Sequence, residues 1–241
     1  MCEWTPIASH AYYTNIIFLS LIKKGKFMSS SIDYTSPATQ FTFDLNKSTF
    51  SQKDSQNFIN VLGVGQLNTL ENTSLLDIYL SANNVIEPHY HQNAAELVYC
   101  ISGAATVSIL NPFTKQLLDF PITPGQVANV PRGWWHYEVA TVDNTHLLAI
   151  FDAPTPEVIL GSDLLKLTPA NIMSHTFCMN ENLWKQAIAP VQPSTFIGPS
   201  KDCNNTVEET TYYPYVNSYA QTYHPISYYP TPGNHYFAKI Y

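Results

Sequence analysis

The sequence predicts an all-β protein whose strands form an antiparallel sandwich or barrel. From Phe41 onward, short β-rich runs alternate with polar turns, and this spacing is typical of such folds. Hydrophobic residues make up 45% of the 241-residue chain, which is enough for a sizeable core. In order, the predicted strands are FTFDL, NFINVLGV, LLDIYL, ELVYCI, ATVSIL, QLLDFPI, QVANV, HYEVATV and HLLAIF.

After these strands the pattern changes to short helices. Thr168 and Pro169 are expected to begin a helix over Ala170 to Phe177, with Thr168 as its N-cap, because proline is favoured in the first helical turn. Asn180 is expected to cap a second helix that continues through Ala187.

The end of the chain has a different composition. Residues 206–241 hold nine of the sixteen tyrosines, interleaved with prolines and without a helical or strand period, so they cannot build a core of their own. We therefore expect four segments: a disordered N-terminal extension (1–37), a β-barrel (38–155), a C-terminal extension with short helices (156–198) and a Tyr/Pro-rich tail (199–241).

Charge and hydropathy argue against two kinds of partner. The formal net charge of −7 offers nucleic acid or an anionic membrane no basic surface. The apolar run at residues 16–22 is too short to span a bilayer, and its charges follow it, which is the wrong order for a secretory signal. We expect residues 1–27 to lie outside the fold, with Met28 as an alternative natural start.

The cysteines indicate a reducing compartment. They lack the close spacing of a metal knuckle or a redox motif, so they are expected to be free thiols in a cytoplasmic protein. The four positions are Cys2, Cys100, Cys178 and Cys203.

The strongest chemical signal is the stretch PHYHQNAAELVYCISG, residues 88–103. Alternate side chains of a strand share a face, so His89 and His91 are expected to project together, and Glu96 is expected to face inward from the next strand. Imidazoles and a carboxylate in a hydrophobic interior cost several kcal/mol unless something pairs with them. A metal ion would provide that pairing.

A second stretch, GQVANVPRGWWHYEVA, turns at its proline and glycine and delivers His136 into another strand. Three neutral imidazoles and one carboxylate suit Mn, Fe, Ni or Zn better than Ca or Mg. With four protein ligands, an octahedral ion would keep two positions open for water or substrate. Trp134 and Trp135 either line the mouth of the barrel or pack the turn beneath it.

These spacings resemble the two sequence motifs of the cupins. The first motif is H-x-H, three or four residues, E, six residues, G, and the second is G, five residues, P-x-G-x-x-H. The matching residues are His89, His91, Glu96 and Gly103 for the first motif and Gly125, Pro131, Gly133 and His136 for the second. Two positions differ, because Asn83 stands where the motif has glycine and Ala140 where it has asparagine.

The resemblance extends from FTFDLNKS to Phe151 and is to the single-domain relatives of germins and oxalate decarboxylases. It implies a cupin jelly roll, or double-stranded β-helix, with His89, His91, Glu96 and His136 as metal ligands. Manganese is the first expected ion and iron the second. The implied function is decarboxylation or oxidoreduction of a small carboxylate or other oxygenated molecule. A homodimer or higher homo-oligomer is expected.

A non-catalytic role is the alternative function. In that reading the barrel is a scaffold, and the tyrosine-rich tail mediates assembly, as in a bacterial spore coat or another surface layer. The analogy is compositional.

Other polar residues receive separate interpretations. Glu138, two residues after His136, is expected to face the interior as a general acid or base, or else as a buried bridging group. Glu87 shares parity with His89, but Pro88 is expected to disturb the strand there. The other histidines are expected to have ordinary structural or surface roles: His10, His146, His175, His224 and His235.

We expect no efficient oxalate decarboxylase or oxalate oxidase activity. In the decarboxylases that the chain resembles, the residue three before the first ligand histidine is an arginine that pairs with the substrate carboxylate, and in germin oxidases it is an asparagine. Here it is Ile86, and Asn83 or Asn84 could replace the contact only in a bulged strand. Losing one charge-assisted contact costs about 1.5 to 3 kcal/mol, or about one to two powers of ten in rate.

The measurement is formation of formate, carbon dioxide and peroxide from oxalate by metal-loaded protein. Turnover of about one per second would contradict the prediction.

Overall fold

Two antiparallel β-sheets face each other across an apolar interior and form a jelly roll. The computed structural model describes residues 32–201 and residue 203. Contacts divide the chain into two units, Met1–Thr39 and Gln40–Tyr241. In the first unit, the described residues 32–39 include a turn in which the Thr35 backbone N–H donates to the Asp33 carboxylate. The sheets and helices belong to the second unit.

Within residues 32–201, twelve strands and three α-helices follow a 3-10 helix at Leu45–Lys47. The strands are β1 (Thr49–Gln52), β2 (Phe58–Leu62), β3 (Ser74–Leu80), β4 (Val85–Tyr90), β5 (Glu96–Ser102), β6 (Ala105–Asn111), β7 (Gln116–Ile122), β8 (Val127–Val130), β9 (His136–Ala140), β10 (Thr145–Phe151), β11 (Ile159–Leu160) and β12 (Ile197–Gly198). The helices are α1 (Gly161–Leu167), α2 (Ala170–Phe177) and α3 (Glu181–Ile188).

Each sheet places strands side by side that are distant in the sequence. The first sheet has the order β1-β2-β3-β10-β5-β8, and the second has the order β11-β4-β9-β6-β7, with β12 also paired to β4. The predicted fold class is therefore confirmed: an antiparallel β-barrel with short C-terminal helices. The predicted Tyr/Pro-rich tail falls almost wholly outside the described residues.

Period-two hydrophobicity builds the core. Along β10, Leu147, Ala149 and Phe151 are buried while the residues between them are partly exposed, and β5 alternates in the same way. Alternation of this kind turns one face of each strand towards the opposite sheet. Val107 and Ile109 of β6, in the second sheet, are buried in the same core, so the interior is formed by both sheets.

Two predicted elements need correction. FTFDL does not form a strand: its phenylalanines precede the 3-10 helix, and the Asp44 carboxylate accepts a hydrogen bond from the Asn46 N–H. That local capping bond competes with strand pairing. The helix Ala170–Phe177 is present, but its N-cap is Pro169, while Thr168 ends the preceding helix α1, which was not predicted.

The second predicted helix is confirmed with its cap. The Asn180 side chain accepts hydrogen bonds from the backbone N–H groups of Asn182 and Leu183 at the start of α3. Within the described residues, no helix has the length and apolar character needed to cross a bilayer.

Two turns depend on residues that tolerate positive φ. Gly103 has φ +74, and a Cβ at this position would lie 2.5 Å from the Cα of Thr145. Asn83, which replaces a motif glycine, has φ 64. Asparagine is among the few non-glycine residues that enter this region readily, so the backbone of the motif is kept despite the substitution.

A register shift in β4 changes which side chains face inward. Ile86 pairs with Glu138 and His89 pairs with His136, so the two β4 residues between these pairs oppose the single β9 residue Tyr137. The extra residue lies at Glu87–Pro88, in agreement with the expected effect of proline. As a result, Ile86 and His89 both reach the interior although they are three positions apart.

We predict that a chain ending at Gly198 keeps its fold, whereas a chain ending at Pro190 is destabilised. The shorter chain lacks β12, which pairs with Val85 and Ile86, and lacks the buried side chain of Ile197. Loss of this strand should lower the melting temperature by about 10 °C, which for a domain of this size corresponds to several kcal/mol.

Thermal unfolding of both truncated chains beside the full-length protein provides the test. A comparable drop in the chain ending at Gly198 would mean that residues 199–241 contribute to the barrel.

Candidate metal centre

Four buried side chains meet at one end of the barrel. His89 lies near the end of β4, His91 follows that strand, and Glu96 and His136 begin β5 and β9. Their exposed fractions are 4%, 6%, 3% and 0%, respectively. One ligand atom from each residue lies within 4.8 Å of the others. The structure thus brings together the four residues that the spacing selects; we call them the His/Glu cluster.

Strand pairing explains how these distant residues meet. His89 lies directly opposite His136 in the β4–β9 pair of the second sheet. The turn over residues 91–95 then carries the chain to the first sheet, where Glu96 faces back towards them. His91 was expected inside the strand; it lies one residue beyond β4, but its side chain still reaches the cluster.

Backbone carbonyls fix the orientation of all three imidazoles. The Nδ1 atom of His89 lies 2.7 Å from the Glu87 carbonyl, that of His91 lies 2.9 Å from the Glu157 carbonyl, and that of His136 lies 2.8 Å from the Trp134 carbonyl. A carbonyl only accepts, so each neutral ring carries its proton on Nδ1 and directs the Nε2 lone pair into the cluster.

The separations fit a metal site. Glu96 Oε2 lies 2.8 Å from His136 Nε2, 3.2 Å from His91 Nε2 and 3.9 Å from His89 Nε2. Two ligands about 2.1 Å from an ion and at right angles to each other are about 3 Å apart. The buried Nε2 atom of His91 has no hydrogen-bond partner among the described residues. An ion at this point would satisfy that atom together with the other three ligands.

In the protein without an ion, the pKa values of the cluster residues are shifted in different directions. Burial, reinforced by repulsion from His136, lowers the pKa of His89 to about 4. Burial also acts to lower the pKa of His136, but the hydrogen bond and the charge of Glu96 outweigh it and raise that pKa to about 9. Although burial opposes it, hydrogen bonding to the imidazoles holds the pKa of Glu96 well below its usual value.

Glu138 is a second buried carboxyl beside the cluster. It is 1% exposed, its Oε1 lies 3.9 Å from His136 Nε2, and neither oxygen has a hydrogen-bond partner among the described residues. Burial, together with repulsion from Glu96, raises its pKa to about 8. The expected inward orientation of Glu138 is thus found, and a carboxyl in this position can hold a proton at neutral pH.

An apolar cavity of about 180 Å³ opens onto the cluster. Its polar lining is His89, His91, Glu96 and Thr155, and the other described lining residues are Phe50, Ile59, Val61, Leu76, Ile78, Ile86, Pro156, Val158, Leu160 and Phe196. The walls come from β1 to β4 and from the segment after β10. No lysine or arginine is among these described lining residues.

Glu87 has a structural role away from the cavity. Its carboxylate accepts hydrogen bonds from the Ser162 N–H (3.2 Å), the Ser162 hydroxyl (3.1 Å) and the Phe196 N–H (3.1 Å). Its carbonyl meanwhile accepts from His89. Glu87 therefore joins β4, helix α1 and the loop before β12, and we call this set of contacts the Glu87 tie.

Several other predicted residues lie outside the cavity lining. Trp135 packs near Gly161 and Trp134 contacts the core, so of the two alternatives, packing describes both. The Asn84 amide bonds with Ser81 and Lys53 and cannot replace an arginine at Ile86. His146 pairs with Asp77 at 2.5 Å, which is the structural role expected for it.

Sequence reasoning missed most of the cavity wall. Ile59, Val61, Leu76 and Ile78 occupy alternate positions of β2 and β3, so their period-two pattern could have indicated one inward face. Phe196 has no such signal, because it reaches the cavity from a loop far along the chain.

The fold and the His/Glu cluster together define a β-barrel protein with a candidate metal centre. Residues 39–183 match the family described as Cupin, and this match covers more than half of the chain. The chain therefore belongs to the cupin family.

Curated relatives include both germin-like and seed proteins. Germin-like protein subfamily 2 member 1 of Arabidopsis thaliana is 29% identical over 139 residues, covering 56% of this chain and 63% of that protein. Glycinin G3 of Glycine max is 27% identical over 134 residues, covering 53% of this chain and 27% of glycinin. The chain therefore matches only part of the length of these relatives.

Solved structures share the fold. Oxalate decarboxylase from Bacillus subtilis has a TM-score of 0.56 and 21% identity, covering 66% of this chain and 40% of that one. The coconut allergen cocosin has a TM-score of 0.59 and 19% identity, covering 66% and 43%. The kinship to germins and oxalate decarboxylases that the motifs imply is thus confirmed at the level of family and fold.

We predict that Glu138→Gln changes how the stability of the metal-free protein depends on pH. The folded-state pKa of about 8 lies above the usual 4.5, so the stability contributed by the protonated carboxyl is complete below about pH 4.5 and is lost as the pH rises through about 8. Glutamine does not ionise. The melting temperature of the variant should therefore rise relative to that of the wild type as the pH increases from 5 to 9.

Melting curves at pH 5, 7 and 9 provide the measurement. Glu71→Gln, in an exposed loop, is the control and should show no such trend. A constant difference between Glu138→Gln and the wild type would show that Glu138 does not titrate in this range.

Proposed function

We propose that the chain is a metal-dependent cupin enzyme that acts on a small oxygenated molecule. The observation that carries this proposal is the convergence of three imidazole Nε2 atoms, each with its tautomer set by a backbone carbonyl, on one oxygen of Glu96. Such an arrangement costs several kcal/mol in a dry interior unless a cation occupies it. His89, His91, Glu96 and His136 would hold the ion.

Manganese is the proposed ion, with iron as the second choice. The donor set of three nitrogens and one oxygen suits either ion. The structurally similar oxalate decarboxylase of Bacillus subtilis contains Mn(II) centres. When bound, the ion would act as a Lewis acid on an oxygen of the substrate. The reaction class that follows is decarboxylation or oxidoreduction.

Glu138 is the proposed general acid or base. Its carboxyl lies beside the cluster, is fully buried, and has a pKa of about 8. A group poised near neutral pH is suited to accept and return a proton. Its position 3.9 Å from His136 supports this role, and no other described carboxyl outside the cluster lies as close to that residue.

A homodimer or higher homo-oligomer and a cytoplasmic location are part of the proposal. The C-terminal helices expose large apolar side chains, among them Leu167 at 78% and Leu183 at 64%, which a second subunit could cover. The described cysteines, Cys100, Cys178 and Cys203, are free thiols, as a reducing compartment requires.

A non-catalytic structural or storage role is the second candidate. It is favoured by similarity to the 12S seed storage protein CRC of Arabidopsis thaliana, which is 31% identical over 102 residues, 41% of this chain and 19% of that protein. Assembly into a spore coat or surface layer would depend on the tyrosine-rich residues 206–241, which lie outside the described part. Protein that accumulates in a particle without bound metal or turnover would support this candidate.

The test of the proposed function is the metal content of His136→Ala. We expect the purified wild type to contain about one divalent transition metal per chain and the variant to lose most of it, because one of four ligands is missing while His89 and His91 remain. Elemental analysis without added metal provides the measurement.

His146→Ala is the matched control, since His146 also lies in a strand of the barrel, β10, but bonds to Asp77 away from the cluster. This variant should keep its metal. Unchanged metal in His136→Ala would contradict the ligand assignment.

A further inference from the structure

The cavity beside the His/Glu cluster has one polar end and otherwise hydrocarbon walls. Ten of its fourteen described lining residues are apolar, and three of the remaining four belong to the cluster. A ligand that enters must therefore place its polar atoms at the cluster and its remaining surface against aliphatic and aromatic side chains. Any other polar atom of the ligand would be desolvated without a partner.

Charge balance limits the ligand further. A divalent ion has two positive charges, and the Glu96 carboxylate supplies one negative charge, so the ion together with its four ligands has a net charge of about +1. One oxygen anion neutralises it. A dianion would leave a surplus negative charge in a cavity whose described lining contains no lysine or arginine, and burying an unpaired charge is costly.

The volume indicates the size of the hydrocarbon body. A dry protein cavity of about 150 Å³ lined by Leu, Ile and Phe binds benzene, and the present cavity measures about 180 Å³. Phe50 and Phe196 meet edge to face with ring centroids 4.9 Å apart, and both line the cavity. Phe50 is 48% exposed, which places it where the cavity opens to solvent.

We propose that this cavity binds a small monoanion with a compact hydrocarbon body, such as an aromatic or branched aliphatic monocarboxylate, and selects against dicarboxylates. This inference rests on the proposed function, since the cluster must hold the metal that receives the carboxylate. The apolar walls supply the affinity for the body, and the charge of the centre sets the preference for one negative charge.

The test is a calorimetric titration of the full-length, metal-loaded wild type with matched acids. Butyrate and succinate each have four carbons but differ by one charge, and acetate differs from butyrate by two methylenes. Butyrate should bind at least about tenfold more tightly than acetate and more tightly than succinate, and benzoate should bind more tightly than butyrate. Equal affinity for acetate and benzoate, or a preference for succinate, would overturn the inference.

A pair of variants separates the cavity from the metal. Val61→Phe fills the space beside the cluster, whereas Val139→Phe adds the same ring to β9 at a partly exposed position that does not line the cavity. We expect Val61→Phe to keep its metal and to weaken benzoate binding by at least about tenfold. Val139→Phe should bind benzoate as the wild type does, and equal weakening in both variants would overturn the inference.

Failure of the metal site is distinguishable from failure of the cavity. Benzene, which has no charge, should raise the melting temperature of the metal-free protein but not that of metal-free Val61→Phe. If the protein binds no metal but benzene still stabilises it, the proposed function fails and the apolar cavity stands. If metal is bound but the acids show no preference for a hydrocarbon body, the inference fails and the metal site stands.

Discussion

Three hydrogen bonds from imidazole Nδ1 atoms to backbone carbonyls determine the geometry of the candidate metal centre. They link His89, His91 and His136 to carbonyls of three different segments and thereby set the nitrogen that each ring presents to Glu96. A side-chain partner could rotate, whereas a backbone carbonyl cannot: that of Glu87 belongs to β4, that of Trp134 lies just before β9, and that of Glu157 lies just before β11. The backbone thus fixes the tautomers of the three rings, and the proposed metal binding would depend on them.

The bulge in β4 gives the cavity its apolar character. Without the extra residue, period-two alternation would put Glu87, and not Ile86, on the face shared with His89. A carboxylate would then stand beside the cluster in place of an aliphatic side chain. The register shift directs Glu87 to Ser162 and Phe196 and leaves Ile86 in the cavity wall. A local change in pairing therefore separates a structural carboxylate from the site.

Features that depend on residues close together in the sequence could be predicted, and features that depend on distant residues could not. Motif spacing and strand alternation are local, so the all-β class, the His/Glu cluster and the inward position of Glu138 could be predicted from the residues alone. The predicted strand FTFDL was wrong because the capping hydrogen bond of Asp44 competes with strand pairing, and a pairing partner could come only from a distant part of the chain. The wall formed by Phe196 was beyond local reasoning, because its place is set by contacts with a strand more than a hundred residues earlier.

The Glu87 tie also connects two equilibria. The carbonyl of Glu87 accepts a hydrogen bond from His89, and its carboxylate accepts hydrogen bonds from α1 and from the loop before β12. One residue therefore contributes both to the orientation of a candidate ligand and to the docking of the C-terminal segment. Thermodynamic coupling is reciprocal. If docking of the C-terminal segment strengthens ion binding by some factor, then ion binding strengthens that docking by the same factor. Ion binding at the centre would then stabilise the docked C-terminal segment, and substitutions that loosen this segment would weaken ion binding.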